Sequence, residues 1–214
     1  FYGGEPLGSV MCARCHPDVV AQWARSAHRF ASFNNPYYAA AATAFRRDRG
    51  DGEFRFCANC HDPLLTPRHE PVPTTLAEPA AQGGITCLIC HSISEPPDLT
   101  GNGLFRVHLQ RFPLGQGHAA RLKPATMSTA RFCGTCHKVG LPETVTGDRW
   151  FRGQDEYDGW RDSAWSGRGV GTVQRPPETR ICHDCHMPRV PAPLGDKGAK
   201  NGRVRDHRFL GANT

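Results

Sequence analysis

All ten cysteines of this 214-residue chain lie in five copies of one motif, C-x-x-C-H, which we number 1 to 5 in chain order. The two thiols are spaced to add to the two vinyl groups along one edge of a porphyrin, and the histidine that follows reaches the iron as its proximal ligand. The pattern therefore predicts five covalently attached haems c. The predicted attachment residues are Cys12, Cys15, Cys57, Cys60, Cys87, Cys90, Cys133, Cys136, Cys182 and Cys185, and the predicted proximal ligands are His16, His61, His91, His137 and His186.

Disulfides in a secreted domain and structural zinc sites also use many cysteines. Neither of them requires a histidine after every C-x-x-C pair. Histidine makes up only 11 of the 214 residues, so chance does not account for five such placements. The motif set favours covalent haem over both alternatives.

The composition indicates that the polypeptide is a thin shell around its cofactors. The chain has 23 glycines and 18 prolines, and five haems shared among 214 residues leave little protein for each. We therefore expect a mainly α fold with extensive irregular loops and little β structure, in which the porphyrins form much of the apolar interior. We expect one compact pentahaem domain over residues 1–214, and leave open that it is part of a longer precursor. Without haem, such a chain should be largely unfolded.

Local patterns predict where the helices lie. Pro17 is well placed to start a helix directly after motif 1, and apolar residues recur at helical spacing as far as His28. A second helix is predicted from Pro36 through residues 37–47, a third around residues 155–165, and a short helical turn at each haem motif. The sequence Thr100-Gly101-Asn102-Gly103 predicts a hairpin turn into one short strand.

Charge and hydropathy limit the partners and the location. The formal charge of +6 would fall to about +1 in the oxidised haem protein, because each haem adds two propionates and one ferric charge, so nucleic acid is not expected as a partner. No stretch of the sequence is long and apolar enough for a membrane span. Covalent haem is attached outside the bacterial cytoplasmic membrane. The expected location is therefore the periplasm or the cell exterior, with membrane association through a missing N-terminal anchor left open.

The sixth ligand of each iron decides whether it transfers electrons or binds a substrate. Six histidines lie outside the motifs, and five irons need at most five of them. His28 and His183 are each too close in sequence to a proximal histidine to serve the same haem, so they should bind neighbouring ones. Met11, Met127 and Met187 are weaker candidates. The predicted distal ligands are His28, His69, His108, His118, His183 and His207.

The motifs and their surroundings resemble a superfamily of multihaem c-type cytochromes that contains hydroxylamine oxidoreductase, its tetrahaem electron acceptor and pentahaem nitrite reductase. The resemblance implies that His28, His118 and His207 bind haems other than those nearest in sequence. It also implies an array of stacked and edge-on haems. Every motif here ends in histidine, whereas pentahaem nitrite reductase has a C-x-x-C-K motif at its catalytic haem. The segments that carry the resemblance are Trp23-x-x-Ser26-x-His28, residues 84–91, 132–137 and 182–188, and His207-Arg208-Phe209-Leu210-Gly211.

The expected function is electron transfer through five closely spaced, mostly bis-histidine haems. Its partners would be other cytochromes or a membrane quinol-linked complex. An enzyme that acts on a small nitrogen species or a peroxide at one five-coordinate haem is the alternative, and it would bind carbon monoxide or nitric oxide when reduced. A subunit of a larger redox assembly or cytochrome filament, whether a homo- or a hetero-oligomer, is also left open. No residue is assigned a catalytic role.

Overall fold

The computed structural model describes residues 9–63, 79–94, 99–107, 117–123, 125–168, 176 and 178–211. The chain divides into two compact units. Unit 1 comprises Phe1–His91 and His186–Thr214, and unit 2 comprises Ser92–Cys185. Whether the whole of residues 1–214 behaves as one domain, as the sequence predicts, stays a prediction.

The described residues are mainly helical, with irregular connections and little sheet, which confirms the predicted fold class. Short 3₁₀ turns lie at Pro79–Gln82, Ala125–Ser128 and Ala164–Ser166. None of the described helices is both long enough and apolar enough to cross a membrane. The α-helices are α1 Ser9–Ala13, α2 Pro17–Trp23, α3 Pro36–His61, α4 Cys87–Ser92, α5 His118–Arg121, α6 Ala130–Gly134, α7 Glu143–Thr146, α8 Glu156–Asp162 and α9 Cys182–His186.

The strands of the described residues form antiparallel pairs of two or three residues. The pairs are β1 Ile93–Ser94 with β2 Arg106–Val107, β3 Gly140–Leu141 with β4 Phe151–Arg152, and β5 Arg189–Pro191 with β6 Arg203–Arg205. Strand β2 follows Gly103, at the place where the sequence predicts a turn into a short strand.

Helix α2 begins at Pro17 as predicted but ends at Trp23, so the predicted extension to His28 is wrong. Two side chains account for the early end. The Ser26 hydroxyl donates to the Trp23 carbonyl at 2.8 Å, and the Trp23 indole N–H donates to the Ile85 carbonyl at 2.8 Å. Serine side chains compete for backbone hydrogen bonds in this way and favour turns over helix. The chain from Ala24 to His28 therefore turns instead of continuing the helix.

Helix α3 carries the chain from the predicted Pro36 start into motif 2. The side chain of Asn35 accepts hydrogen bonds from the backbone N–H groups of Tyr37 and Tyr38, and Pro36 occupies the first turn, where its missing N–H is not needed. Gly50 has φ +86° and ψ 170°, which interrupts the helix with a kink. Glycine adopts positive φ without steric penalty, so the helix resumes beyond it and ends at His61.

The apolar core of unit 1 is formed by Phe33, Ala42, Phe54, Ala58 and Ala81. Both halves of α3 contribute to it, and Phe54 and Ala58 are completely inaccessible to solvent. Because Ala58 lies one turn before His61, this core fixes the end of α3 that carries motif 2.

Candidate haem-binding sites

Every haem motif lies on a helical turn, as predicted. In motif 1 the His16 backbone N–H donates to the Cys12 carbonyl at 2.8 Å, and in motif 4 the His137 N–H donates to the Cys133 carbonyl at 2.9 Å. Motifs 2, 3 and 5 lie within α3, α4 and α9. Residues three and four apart share one face of a helix. Each turn therefore brings its two thiols and its histidine to the same side.

The cysteines show neither of the alternative arrangements. All ten lie within the described residues, and none is joined in a disulfide there. Among those residues, no three or more histidine, cysteine or carboxylate side chains converge as a metal-ion site. A structural zinc site requires four such ligands around one point. The described part of the chain therefore offers no zinc site of this type.

Two of the predicted proximal histidines, both in unit 1, are held by peptide carbonyls. The Nδ1 atom of His61 lies 2.5 Å from the Ala31 carbonyl oxygen, and that of His186 lies 2.5 Å from the Leu210 carbonyl oxygen. A carbonyl oxygen can only accept a hydrogen bond, so the ring proton must be on Nδ1. The lone pair of each neutral ring is then on Nε2, the form in which a histidine binds iron while its other nitrogen is fixed by a hydrogen bond.

The proximal histidine of motif 1 is held by a carboxylate instead. The Nδ1 atom of His16 lies 2.9 Å from Oδ1 of Asp196, whose side chain is fully buried. Gly198 lies behind the imidazole, where a Cβ atom would be 3.2 Å from two of the ring atoms. The ring is thus fixed in the same tautomer as His61 and His186, with Nε2 left for iron.

His137 and His91 are the other two predicted proximal histidines. His137 Nδ1 lies 4.0 Å from Oε2 of Glu156, and both side chains are more than 40% exposed, so this contact orients the ring only weakly. His91 lies within α4. The residues present fit covalent haem best in unit 1, where acceptors fix three of the proximal rings.

Motifs 1 and 3 lie side by side in unit 1. A hydrogen bond to the Cys87 thiol, followed by burial, raises the pKa of the Cys12 thiol above its ordinary value. The Ser9 hydroxyl is 3.9 Å from the same Cys87 sulfur. Residues far apart in sequence are therefore adjacent at these two attachment points, so the haems bound there would be close neighbours.

Motif 2 ends in a buried polar cluster. The Tyr38 ring stacks on the His61 imidazole with centroids 4.3 Å apart and an interplanar angle of 14°. The Tyr38 hydroxyl donates to Asp62 Oδ2 at 2.7 Å, and the Ser32 hydroxyl donates to the other carboxyl oxygen. Burial raises the pKa of Asp62, and these hydrogen bonds oppose the increase. The cluster fixes the ring plane of His61 in addition to its tautomer.

Among the predicted distal ligands, His207 has the surroundings of a neutral imidazole. Its Nδ1 lies 2.8 Å from the Arg205 carbonyl oxygen, which fixes the proton there, and its backbone N–H donates to Gln22 of α2 at 2.9 Å. Desolvation lowers the pKa of His207, and the nearby His16 lowers it further, against the opposing effect of the Arg205 carbonyl and two carboxylates. His207 is thus brought near motif 1, far from it in sequence.

His28 lies close to the segment that leads into motif 3. Its carbonyl accepts a hydrogen bond from Ile85 N–H at 2.8 Å, and the backbone passes so close to Gly84 that a Cβ there would be 2.6 Å from the His28 oxygen. The His28 ring packs edge-on against Phe209 with centroids 4.2 Å apart, and His207 contacts the same ring at 5.8 Å. Phe209 therefore separates two predicted ligands.

The remaining distal candidates are placed less distinctly. His118 begins α5, and Nε2 of His183 lies 3.2 Å from Oδ1 of Asp184. His69 and His108 lie outside the described residues. Ligation by these four histidines, as by His28 and His207, stays a prediction.

Sequence reasoning missed three residues that hold the ligands. Asp196 is 180 residues from His16, and no local pattern marks it. Tyr38 lies in an alanine-rich helix and gave no sign of contact with motif 2. Phe209 lies two residues after the predicted ligand His207, in a segment that carries the family resemblance. Among the three residues, it is the one that the sequence could have indicated.

The comparisons with known proteins agree with this chemistry. Residues 11–92 match the family described as Cytochrome c554 and c-prime. A penta-heme cytochrome c552 from Thermochromatium tepidum has a similar crystal structure, with a TM-score of 0.59 and 20% sequence identity. The similarity covers 96% of this chain and 57% of that one, so this chain spans little more than half the length of that cytochrome. A search of curated proteins gives no match. At this identity the structural similarity shows the fold, and together with the family match it supports a multihaem c-type cytochrome.

Proposed function

We propose that this chain is an extracytoplasmic electron-transfer protein that carries single electrons through five covalently attached haems c. The observation that carries the proposal is that C-x-x-C-H turns are combined with proximal rings held in the iron-binding tautomer, as at His61 and His186. When bound, the haems supply one-electron chemistry at iron. The chain would supply thioether anchors and oriented imidazoles, and motifs 1 and 3 are adjacent in unit 1.

We propose that His207 is the distal ligand of haem 1 and His28 that of haem 3. His207 is supported by its lowered pKa, its Nδ1 bond to a carbonyl and its proximity to His16. His28 is supported by its backbone contact with Ile85, just before motif 3. With strong ligands on both faces, these irons would be closed to substrates and suited to electron transfer.

In unit 2 we propose His118 and His183 as distal ligands. His69 and His108, outside the described residues, are the further candidates for the irons of the chain. The contact of His183 Nε2 with Asp184 would have to be exchanged for iron. Any haem left with one histidine would be the site of the alternative enzyme function.

The proposed partners are other redox proteins outside the cytoplasm, either cytochromes or a membrane quinol-linked complex. Support comes from the chemistry of the motifs, since a closed haem can exchange electrons only with another redox centre. Location in the periplasm or at the cell surface follows from where covalent haem is attached. Association into an oligomer is compatible with this role but is not required by it.

The test is to produce the chain in a host that attaches haem c and to measure its intact mass. We expect the mass of five haems and a reduced spectrum that does not change when carbon monoxide is added. Replacing Cys133 and Cys136 with serine should lower the count to four, whereas Thr135→Ser, inside the same motif, should leave it at five. A chain of bare polypeptide mass would end the proposal, and a carbon monoxide shift would favour the enzyme alternative.

A further inference from the structure

We propose that the buried carboxylate of Asp196 acts through His16 to make haem 1 harder to reduce than haems 2 and 5. This inference rests on the proposed function, because it concerns the potential of a bound haem. The contact that carries it is the 2.9 Å hydrogen bond from His16 Nδ1 to Asp196 Oδ1. Asp196 is a positioning residue, because its hydrogen bond is to the His16 imidazole and not to the iron.

The three proximal histidines of unit 1 with fixed rings differ in the charge of their acceptor. His61 and His186 donate to the neutral carbonyls of Ala31 and Leu210, whereas His16 donates to a carboxylate. Hydrogen bonds to a charged acceptor are about twice as strong as those between neutral groups. The carboxylate therefore draws the Nδ1 proton more strongly and makes Nε2 of His16 the more basic ligand. A more basic ligand stabilises ferric iron over ferrous iron.

The contacts of Asp196 fit an ionised carboxylate. Besides the His16 ring it accepts hydrogen bonds from the backbone N–H groups of Gly198 at 2.8 Å and Val19 at 3.3 Å. Both backbone partners are donors, as an acceptor-only group requires, and the His16 ring can donate to the same carboxylate from Nδ1. Because the side chain is fully buried, water does not screen its charge as it would at the surface.

The position of Asp196 is also built into the fold. The buried Asp18 of α2 accepts hydrogen bonds from the backbone N–H groups of Leu194 at 3.1 Å and Asp196 at 3.3 Å. The Lys197 N–H donates to the Cys15 carbonyl at 2.7 Å, which ties the same segment to motif 1 itself. Residues 194–198 are thus held against motif 1 by hydrogen bonds from two directions.

The consequence is an order of reduction among the haems of one protein. Haem 1 would take its electron after haems 2 and 5 and would release it most readily to an oxidised partner protein. The step is a one-electron exchange at iron in which no bond to the protein forms or breaks.

The test is a spectroscopic redox titration of the five-haem protein and its Asp196→Asn variant. At the potential where haem 1 of the native protein is half reduced, the variant should have about a tenfold higher ferrous-to-ferric ratio at one haem, a shift of about 59 mV for one electron. The matched control is Asp18→Asn, which removes a buried charge from the same region. Asp196 keeps its hydrogen bonds with His16, Val19 and Gly198 in this variant, and the Lys197 N–H keeps its bond to the Cys15 carbonyl. The acceptor of His16 is therefore still a charged carboxylate, and the control should change the ratio by less than about twofold.

A second variant keeps the test decisive if Asp196→Asn does not fold. Gly198 has no positive φ, and a Cβ there would lie 3.1 Å from Asp196 Oδ1 and 3.2 Å from the His16 ring. Gly198→Ala should therefore push the two groups apart while keeping both, and raise the ferrous fraction of the same haem by a smaller factor.

The outcomes separate this inference from the proposed function. If intact mass gives no haems, the function itself fails. If five haems are present and neither Asp196→Asn nor Gly198→Ala changes the reduction midpoint of any haem, only the inference is overturned. An equal shift in Asp18→Asn would also overturn it, because charge in general rather than the bond to His16 would then set the potential.

Discussion

Asp62 of unit 1 and Asp158 of unit 2 are both buried near a haem motif, and their hydrogen-bond partners differ in charge. Asp62 in unit 1 is 3% exposed, and Asp158 in unit 2 is 5% exposed. Asp62 is bonded by two neutral hydroxyl groups, and burial raises its pKa. Asp158 accepts hydrogen bonds from Lys138 at 2.8 Å, and these lower its pKa against the effect of burial. The two pKa values therefore shift in opposite directions, because desolvation is the largest influence on Asp62 and the hydrogen bond from the Lys138 ammonium is the largest on Asp158.

The same contrast extends to what holds each unit together. Unit 1 has the aromatic and alanine core around Phe33 and Phe54. Unit 2 has a charge network in which Arg152 and Arg161 join Lys138 around the one Asp158 carboxylate, at 2.8 and 3.0 Å. The buried apolar side chains of unit 2, among the residues described, are Ile93, Leu122, Ala130 and Val145. We therefore expect unit 2 to depend more on its ion pairs and on bound haem for stability.

The largest expected effect comes from removing haem. A haem-free chain should lose cooperative unfolding altogether, because its apolar core is too small to offset the entropy of ordering the chain. Residual structure should persist around the Phe33–Phe54 core and not within Ser92–Cys185. Limited proteolysis with mass spectrometry of the fragments measures this, with the haem-loaded protein as control. Earlier cleavage in unit 1 than in unit 2, or a protease-resistant haem-free chain, would contradict the comparison.

The next largest effect is expected from Asp158→Asn. Lys138, Arg152 and Arg161 would then surround a neutral amide instead of a carboxylate. The free energy of unfolding should fall by roughly 2 kcal/mol. This is less than the 3–5 kcal/mol typical of a fully buried pair, because Arg152 and Arg161 are nearly half exposed. Chemical denaturation of the haem-loaded protein followed by circular dichroism measures the change.

Asp155→Asn is the matched control for this substitution. Asp155 pairs with the same Arg152 at 3.2 Å, but its side chain is 48% exposed. Exposed pairs contribute less than about 1 kcal/mol, so this variant should be nearly as stable as the native protein. Equal losses in the two variants would show that burial of Asp158 has no special role.

How far the sequence predicts this molecule depends on the range of the contacts involved. The C-x-x-C-H turns and the Pro36 helix start follow from residues within a few positions of each other, and the structure confirms both. The sequence predicts this helix only through residue 47, and its continuation across Gly50 to His61 is not predicted. The end of α2 at Trp23 depends on Ile85, and the support of His16 depends on Asp196. Such partners are brought close only by the folded chain, so no local pattern identifies them.

A third prediction uses pH to separate the two aspartates. The folded-state pKa of Asp158 lies below the unfolded value of about 3.9, so its stabilisation is present above that pH and is lost as the pH falls through the folded-state pKa. That of Asp62 lies above the unfolded value, so its contribution is greatest below about pH 3.9 and is lost as the pH rises through the folded-state pKa. Asp158→Asn should remove the loss of stability that occurs as the pH falls. Asp62→Asn should remove the loss of stability that occurs as the pH rises.

Denaturation midpoints measured from about pH 2 to pH 7 would check these signs. Each variant serves as the control for the other, because both replace a buried carboxyl with an amide of the same shape. If both variants flatten the same part of the pH profile, the two carboxyls titrate alike and the contrast between the units is wrong.

The smallest effect is expected from Tyr38→Phe. The substitution removes the hydroxyl that donates to Asp62 at 2.7 Å but keeps the ring that stacks on His61. Loss of one buried hydrogen bond should lower the free energy of unfolding by about 1 kcal/mol, with the haem count unchanged. Tyr37→Phe is the control, since the neighbouring Tyr37 is 86% exposed and should give no measurable change. If Tyr38→Phe proved as neutral as Tyr37→Phe, the Ser32 hydroxyl alone would suffice to hold Asp62, and unit 1 would depend on its apolar core even more than the comparison with unit 2 implies.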